Sequence, residues 1–252
     1  MSFFEINGLS INFGGIAALI DFSLKVEKNE LFAIIGPNGA GKTTIFNCIT
    51  NLYKPQEGEI LFEGENLLKL PPHKIAGKGI ARTFQNIELF KHMNVIDNLL
   101  LGRHHLIKSG VFSGGFFFGK ALENEIEHRK AVEEIIDFLE VTHIRKKIVG
   151  SLPLGLQKRV ELGRALAVQP KLLLLDEPVA GTSLEEAEDI ARFILDIHEE
   201  LGITIIIIEH NMGLVMDISD EVCVLNFGKK ISKGKPADIK KDKMVIACYL
   251  GK

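Results

Sequence analysis

The sequence predicts an α/β fold with a mostly parallel core sheet, an N-terminal antiparallel β lobe and an inserted helical lobe. Three observations predict it. The runs Leu31-Phe32-Ala33-Ile34-Ile35, Leu172-Leu173-Leu174-Leu175 and residues 203–208 are continuous and apolar, as in strands that crossover helices bury on both faces. Residues 21–26 instead alternate, with Phe22, Leu24 and Val26 on one face, and residues 58–64 form a second short strand closed by glycine turns, the pattern of half-buried antiparallel strands. From Gln85 to about Pro170 the period turns helical. It is clearest over 125–140, where Ile126, Ala131, Val132, Ile135, Ile136 and Leu139 are apolar. No repeat, low-complexity tract or long linker divides the chain. The expected organisation is one domain over 1–252, with a helical subdomain at about 86–170 inserted in the α/β core.

Directly after the first apolar run stands Gly36-Pro37-Asn38-Gly39-Ala40-Gly41-Lys42-Thr43, followed by Thr44. This is a glycine-rich phosphate loop with a strand before it and a helix, roughly 42–50, after it. Small residues let successive backbone N–H groups turn inward as an anion nest, and the helix points its positive end at the same place. Gly36, Pro37, Asn38, Gly39, Ala40, Gly41, Lys42, Thr43 and Thr44 are therefore the candidate triphosphate-binding residues of a P-loop NTPase. Lys42 is expected to reach the β- and γ-phosphates and the Thr43 hydroxyl to ligate Mg²⁺.

The second apolar run, 172–175, ends in Asp176-Glu177-Pro178. Two acids at the tip of a buried strand pose a charge problem that a cation resolves. Asp176 is the candidate Mg²⁺ holder beside Thr43, and Glu177 the candidate base that orients and deprotonates the attacking water. Both acids together point to hydrolysis as well as binding.

Bulk properties limit the alternatives. The net charge of −3 gives no global basic field, so nucleic acid is not an expected partner. Cys48, Cys223 and Cys248 are far apart and read as buried small hydrophobes in a reducing compartment. The N-terminus lacks a signal-peptide pattern and no apolar run approaches the roughly 18 residues that span a bilayer. A cytoplasmic location is expected.

These features identify a resemblance. The chain resembles the ATP-binding cassette (ABC) ATPases over nearly its whole length, through the phosphate loop, Asp176-Glu177, Gln85 in Thr83-Phe84-Gln85-Asn86, and His210 after the strand 204–208. It is similar, within them, to the nucleotide-binding subunits of branched-chain amino-acid importers. That narrower likeness rests on Phe13-Gly14-Gly15, Arg82-Thr83-Phe84-Gln85, Phe46-Asn47-Cys48-Ile49-Thr50, Ile208-Glu209-His210-Asn211-Met212 and the ending Tyr249-Leu250-Gly251. The resemblance implies further roles: Phe13 stacks on adenine, Gln85 contacts Mg²⁺ and the attacking water, and His210 bonds the γ-phosphate. It implies ATP and Mg²⁺ as cofactors, transmembrane permease subunits and a second ATPase subunit as partners, and an extracytoplasmic solute-binding protein as an indirect one. The chain would sit peripherally on the inner face of the cell membrane.

Two segments depart from the family. Its signature, Leu-Ser-Gly-Gly-Gln, is here Leu152-Pro153-Leu154-Gly155-Leu156. Pro153 brings neither hydroxyl nor N–H, which leaves the Gly155 backbone and a helix from about 156 to 168 to meet the partner's γ-phosphate. Either this contact is weakened, or Pro153 starts the helix in its first turn and the other donors suffice. The loop after Pro178 ends in Ser183 where the family has Asp or Asn. The apolar stretch 111–118 is either a docking patch or a cover for its own helices. The lysine-rich stretch 229–243 reads as a solvated hairpin and helix.

Overall fold

A computed structural model describes residues 3–106 and 120–250; the stretch 111–118 lies outside them. In chain order, β1 (Phe4–Phe13), β2 (Ile16–Val26), β3 (Leu31–Ile35), α1 (Lys42–Ile49), β4 (Glu57–Phe62) and β5 (Glu65–Asn66) precede β6 (Ile80–Arg82), α2 (Val95–Gly102), α3 (Lys120–Phe138) and α4 (Leu154–Leu166). There follow β7 (Leu172–Asp176), α5 (Leu184–Glu199), β8 (Thr204–Ile208), α6 (Met212–Ile218), β9 (Glu221–Asn226), β10 (Lys229–Gly234), α7 (Pro236–Ile239) and α8 (Lys243–Leu250). They divide into two compact units. The first is Met1–Ile75, Leu172–Glu177 and Ile194–Lys252; the second is Ala76–Lys171 with Pro178–Phe193.

The first unit holds the parallel ladder the apolar runs demanded. β7 pairs with β8, β8 with β3 and β3 with β9, all parallel, and β10 closes the edge antiparallel to β9. Every residue of β3, β7 and β8 is buried, and each large apolar side chain among them contributes about 1.5–3 kcal/mol to the unit's stability. The N-terminal strands form an antiparallel sheet in the order β2-β1-β4-β5. Its buried face is built from cross-strand pairs at the alternating positions: Phe4 opposite Val26, Ile6 opposite Leu24 and Leu9 opposite Phe22. β4 adds Ile60 opposite Ile6 and Phe62 opposite Phe4. The lysine-rich stretch 229–243 forms the surface strand β10 and the short helix α7, as its composition indicated.

The second unit is mainly helical. Glycine lets α2 and α4 approach closely: a Cβ on Gly102 would lie 2.5 Å from the Arg164 carbonyl oxygen. Val132, Ile136 and Leu139 of the α3 segment are buried, whereas Ile126 is 58% exposed, so the apolar face of this helix is shorter than its sequence period indicated. α2 is capped by Asn94, whose Oδ1 accepts the Asp97 N–H at 2.8 Å. α4 starts two residues before the expected position. Pro153 is its N-cap, with φ −54° and ψ 156°, and not a first-turn residue. Proline's fixed φ suits this extended conformation as well as a helical one, and its carbonyl accepts the first helical bond, from Gln157 N–H at 3.0 Å. Among the described residues no helix is long and apolar enough to cross a membrane.

Candidate functional site

In the first unit the loop 36–41 joins the buried strand β3 to α1. Its glycines are required by geometry. A Cβ at Gly36 would stand 2.1 Å from the Leu225 carbonyl oxygen, and Gly41, at φ 107°, would place one 2.5 Å from the Ala18 carbonyl oxygen. Gly36 and Ala40 are buried, Pro37 and Gly41 half-buried, Asn38 and Gly39 exposed. Lys42 is 5% exposed, and its ammonium folds back to donate to the carbonyls of Gly36 at 2.8 Å and Pro37 at 3.0 Å. Burial holds this ammonium below the usual lysine range, opposed by the nearby charges of Glu177 and Asp176. Thr43 is exposed and Thr44 half-buried in the first turn of α1.

Asp176 ends β7 at 1% exposure, opposite Ile208 of β8 in the parallel register. Glu177 follows in the left-handed region at φ 50°, a conformation that costs a non-glycine residue about 1 kcal/mol or more. Its N–H is anchored on the Ile208 carbonyl at 2.8 Å. Its Oε1 meets His210 Nε2 at 2.8 Å, which calls for the ring proton on Nε2. The two residues expected to act on the terminal phosphate are thus in contact although 33 positions apart. A carboxylate so held, with Lys42 near, can take a proton from water while the imidazole keeps it in place.

Phe13 closes β1 at 44% exposure, so it is an available aromatic surface and not a core residue. Tyr53, 40% exposed, meets it edge to face at 5.0 Å between ring centroids; the sequence reading overlooked this tyrosine. It also assigned no role to Tyr249 of α8, whose pKa burial pushes up to about 12, opposed by the Gly36 backbone. Cys48 and Cys223 are buried as expected, but Cys248 is only partly so.

Gln85 and Gly155 belong to the second unit. Gln85 is exposed, and its carbonyl accepts Lys158 Nζ at 3.4 Å. One turn on, Glu161 accepts the Phe84 N–H at 3.3 Å; burial raises its carboxyl, opposed by Lys158 and that N–H. Lys158 and Glu161, both nearly buried, therefore fix the backbone of Phe84 and Gln85 from α4. Gly155 is buried in the first turn of α4, where a Cβ would stand 2.3 Å from Glu186 Oε1. Ser183 and Glu186 form a reciprocal cap of α5. Glu186 Oε2 accepts Ser183 N–H at 3.0 Å, and Ser183 Oγ accepts Glu186 N–H at 3.2 Å. The Ser183 hydroxyl is thus employed in a helix cap.

The ABC transporter family model matches residues 19–180. The chain belongs to the ABC transporter family. It is 40% identical over 247 residues to the high-affinity branched-chain amino acid transport ATP-binding protein BraF of Pseudomonas aeruginosa, covering 98% of this chain and 97% of that one. The LivG protein of Escherichia coli K12, described in the same words, is 40% identical over 250 residues, with 98% and 97% covered. A probable branched-chain amino acid transport ATP-binding protein of Methanocaldococcus jannaschii is 35% identical over 243 residues, with 95% and 93% covered. Among solved structures, an ATP-binding cassette of an ABC transporter in its ADP conformation superposes with a TM-score of 0.86 at 34% identity over all of both chains. The nucleotide-free form of such a cassette gives the same score, identity and coverage. This ABC protein is accordingly an ATP-binding, ATP-hydrolysing cassette of a transporter, with the α/β fold its sequence indicated.

Proposed function

We propose that this ABC ATPase energises uptake of branched-chain amino acids through separate transmembrane permease subunits, on the inner face of the cell membrane. An extracytoplasmic solute-binding protein would supply the solute, and nucleic acid has no part. The observation that carries the reading is the Glu177–His210 contact near Lys42, in a chain alike along its whole length to branched-chain amino acid transport ATP-binding proteins. The two units are read as one cassette, 1–252, in which about 86–170 is the inserted helical part.

Each residue then has a task. Phe13, backed by Tyr53, stacks on adenine, a contact tolerant of base identity. Gly36, Asn38, Gly39, Ala40 and Gly41 present backbone N–H groups to the phosphates, Pro37 fixes the turn among them, and Thr43 and Thr44 stand at the positive end of α1. Lys42 exchanges two loop carbonyls for phosphate oxygens. The Thr43 hydroxyl and the Asp176 carboxylate are hard oxygen donors that suit Mg²⁺, with the Gln85 amide as a further ligand implied by the resemblance. When bound, Mg²⁺ supplies positive charge against the phosphate oxygens. Glu177 takes the proton of the attacking water, and His210 holds Glu177 and the γ-phosphate in line. The first-turn N–H groups of α4, Gly155 among them, would meet the γ-phosphate on a second ATPase subunit.

Uptake of labelled leucine, isoleucine and valine by cells tests this. Loss of the chain should abolish uptake, and wild type should restore it where Glu177→Gln does not. Full uptake with Glu177→Gln would overturn the assignment of the base, and unchanged uptake without the chain would overturn the solute class.

A further inference from the structure

Between the last residue of β8 and the first of α6 lie Glu209, His210 and Asn211, and all three are tied down. Glu209 is 3% exposed. Its Oε2 accepts the backbone N–H of His210 at 2.9 Å and that of Asn211 at 3.3 Å. Asn211 in turn caps α6, its Oδ1 accepting Leu214 N–H at 3.2 Å. The residue before Glu209, Ile208, takes the Glu177 N–H on its carbonyl at 2.8 Å. One turn of chain therefore locates both members of the 2.8 Å Glu177–His210 pair. It holds one by the end of β8 and the other by a carboxylate.

We propose that Glu209 is a positioning residue for hydrolysis: its carboxylate, by gathering the His210 and Asn211 amides, sets the place from which His210 Nε2 reaches Glu177. It touches neither water nor phosphate in this role. Three physical points support it. A buried carboxylate is costly unless donors surround it, and its two backbone donors belong to the residue that must be aimed and to the one after it. Bonds to a charged oxygen are about twice as strong as neutral ones, so the turn is stiffer than an uncharged residue would make it. A strand-to-helix turn has no ladder of its own to hold the ring, and an error of about 1 Å at such a site costs on the order of a hundredfold in rate.

This inference rests on the reading of Glu177 and His210 as the hydrolytic pair, so the experiment includes Glu177→Gln. Glu209→Ala and Glu209→Gln would be made in the full chain assembled with its permease subunits, and ATP turnover, ATP affinity and the ¹⁵N shifts of the His210 ring measured. Glu209→Ala should lower kcat about ten- to a hundredfold while KM for ATP changes less than about threefold, and it should shift His210 Nε2 toward a solvent-exposed value. Glu209→Gln, which keeps an acceptor oxygen of the same reach, should recover most of the lost kcat and the native ring shift. In the Glu177→Gln background, Glu209→Ala should add little to the loss. A wild-type kcat in Glu209→Ala, with Glu177→Gln inactive, would overturn the role of Glu209 alone. Normal turnover in Glu177→Gln would overturn the underlying reading instead. Equal damage from Ala and Gln with the ring shift unchanged would mean that the charge acts on the reaction directly, and would also overturn the proposal.

Discussion

At the scale of single residues, the first unit places its charges where only a ligand or a precise partner balances them. Lys42 donates to two carbonyls of its own loop, so phosphate must compete with bonds already made, and the ammonium must reach an anion to gain from the exchange. Lys42→Ala should weaken ATP binding roughly ten- to a hundredfold, the value of about 1.5–3 kcal/mol for bonds to a charged group. Equilibrium binding of a fluorescent ATP analogue measures it, and unchanged affinity would refute the loop assignment. The thiols make a second case. Burial pushes Cys48 and Cys223 up to about 12 from 9.0. Folding raises both, so the stability they contribute is complete below pH 9 and is lost as pH rises toward 12, because the unfolded chain ionises first. Each contributes a slope of up to about 1.4 kcal/mol per pH unit in that window. Urea midpoints between pH 8 and 11 should fall more steeply for wild type than for the Cys48→Ala/Cys223→Ala variant. Parallel slopes would show that the thiols are not the cause.

At the scale of elements, the N-terminus of α4 and that of α5 share one constraint. Gly155 leaves the space that the Glu186 side chain fills, and Glu186 completes the reciprocal cap with Ser183. Gly155→Ala should displace Glu186 and cost about 1 kcal/mol, the value of a helix cap. The same change in a Glu186→Ala background should cost much less, and chemical denaturation of the four proteins reads the coupling. Equal costs in both backgrounds would mean the carboxylate moves aside freely. The comparison of sequence with structure turns on such elements. β3, β7 and β8 were legible because burial on both faces leaves an unbroken apolar run. The phosphate loop was legible because Gly36 and Gly41 are dictated by contacts under 3 Å with the backbone of other strands, and Gly39 by its positive φ of 78°. The start of α4 was misjudged because a proline's φ is the same at an N-cap and in a first turn. Lys158, Glu161 and Glu209 were illegible because a buried ion reads in sequence like a surface one. The partners of Lys158 and Glu161 lie 73 and 77 residues away, and Glu209 binds its own neighbours in a way no residue pattern announces.

At the scale of the whole molecule, Pro153 raises the question of how two such ATPases would share work. The resemblance implies that two ATPase subunits pair, each site joining one chain's phosphate loop to the other's signature. The site using this chain's Lys42, Asp176, Glu177 and His210 would be completed by the partner's signature. The other would receive Pro153-Leu154-Gly155 from this chain and lack one hydroxyl. Since Pro153 is the N-cap of α4, the N–H groups of its first turn remain as donors, while the missing side-chain cap leaves one of them without a local partner. Losing a donor to a charged oxygen costs on the order of 1.5–3 kcal/mol, enough to slow a step by roughly ten- to a hundredfold. Pro153→Ser restores both the hydroxyl and a favoured N-cap, so it should raise turnover at the weaker site and stabilise α4 by about 1 kcal/mol at once. Single-turnover hydrolysis in the assembled transporter, with the base removed from one subunit at a time, separates the two sites. Glu177→Gln here should impair transport-coupled hydrolysis more than the equivalent change in the partner, and Pro153→Ser should narrow that difference. If the two base-removing variants are equally damaging and Pro153→Ser changes only stability, the backbone N–H groups of α4 carry the whole contact and the sites are equivalent.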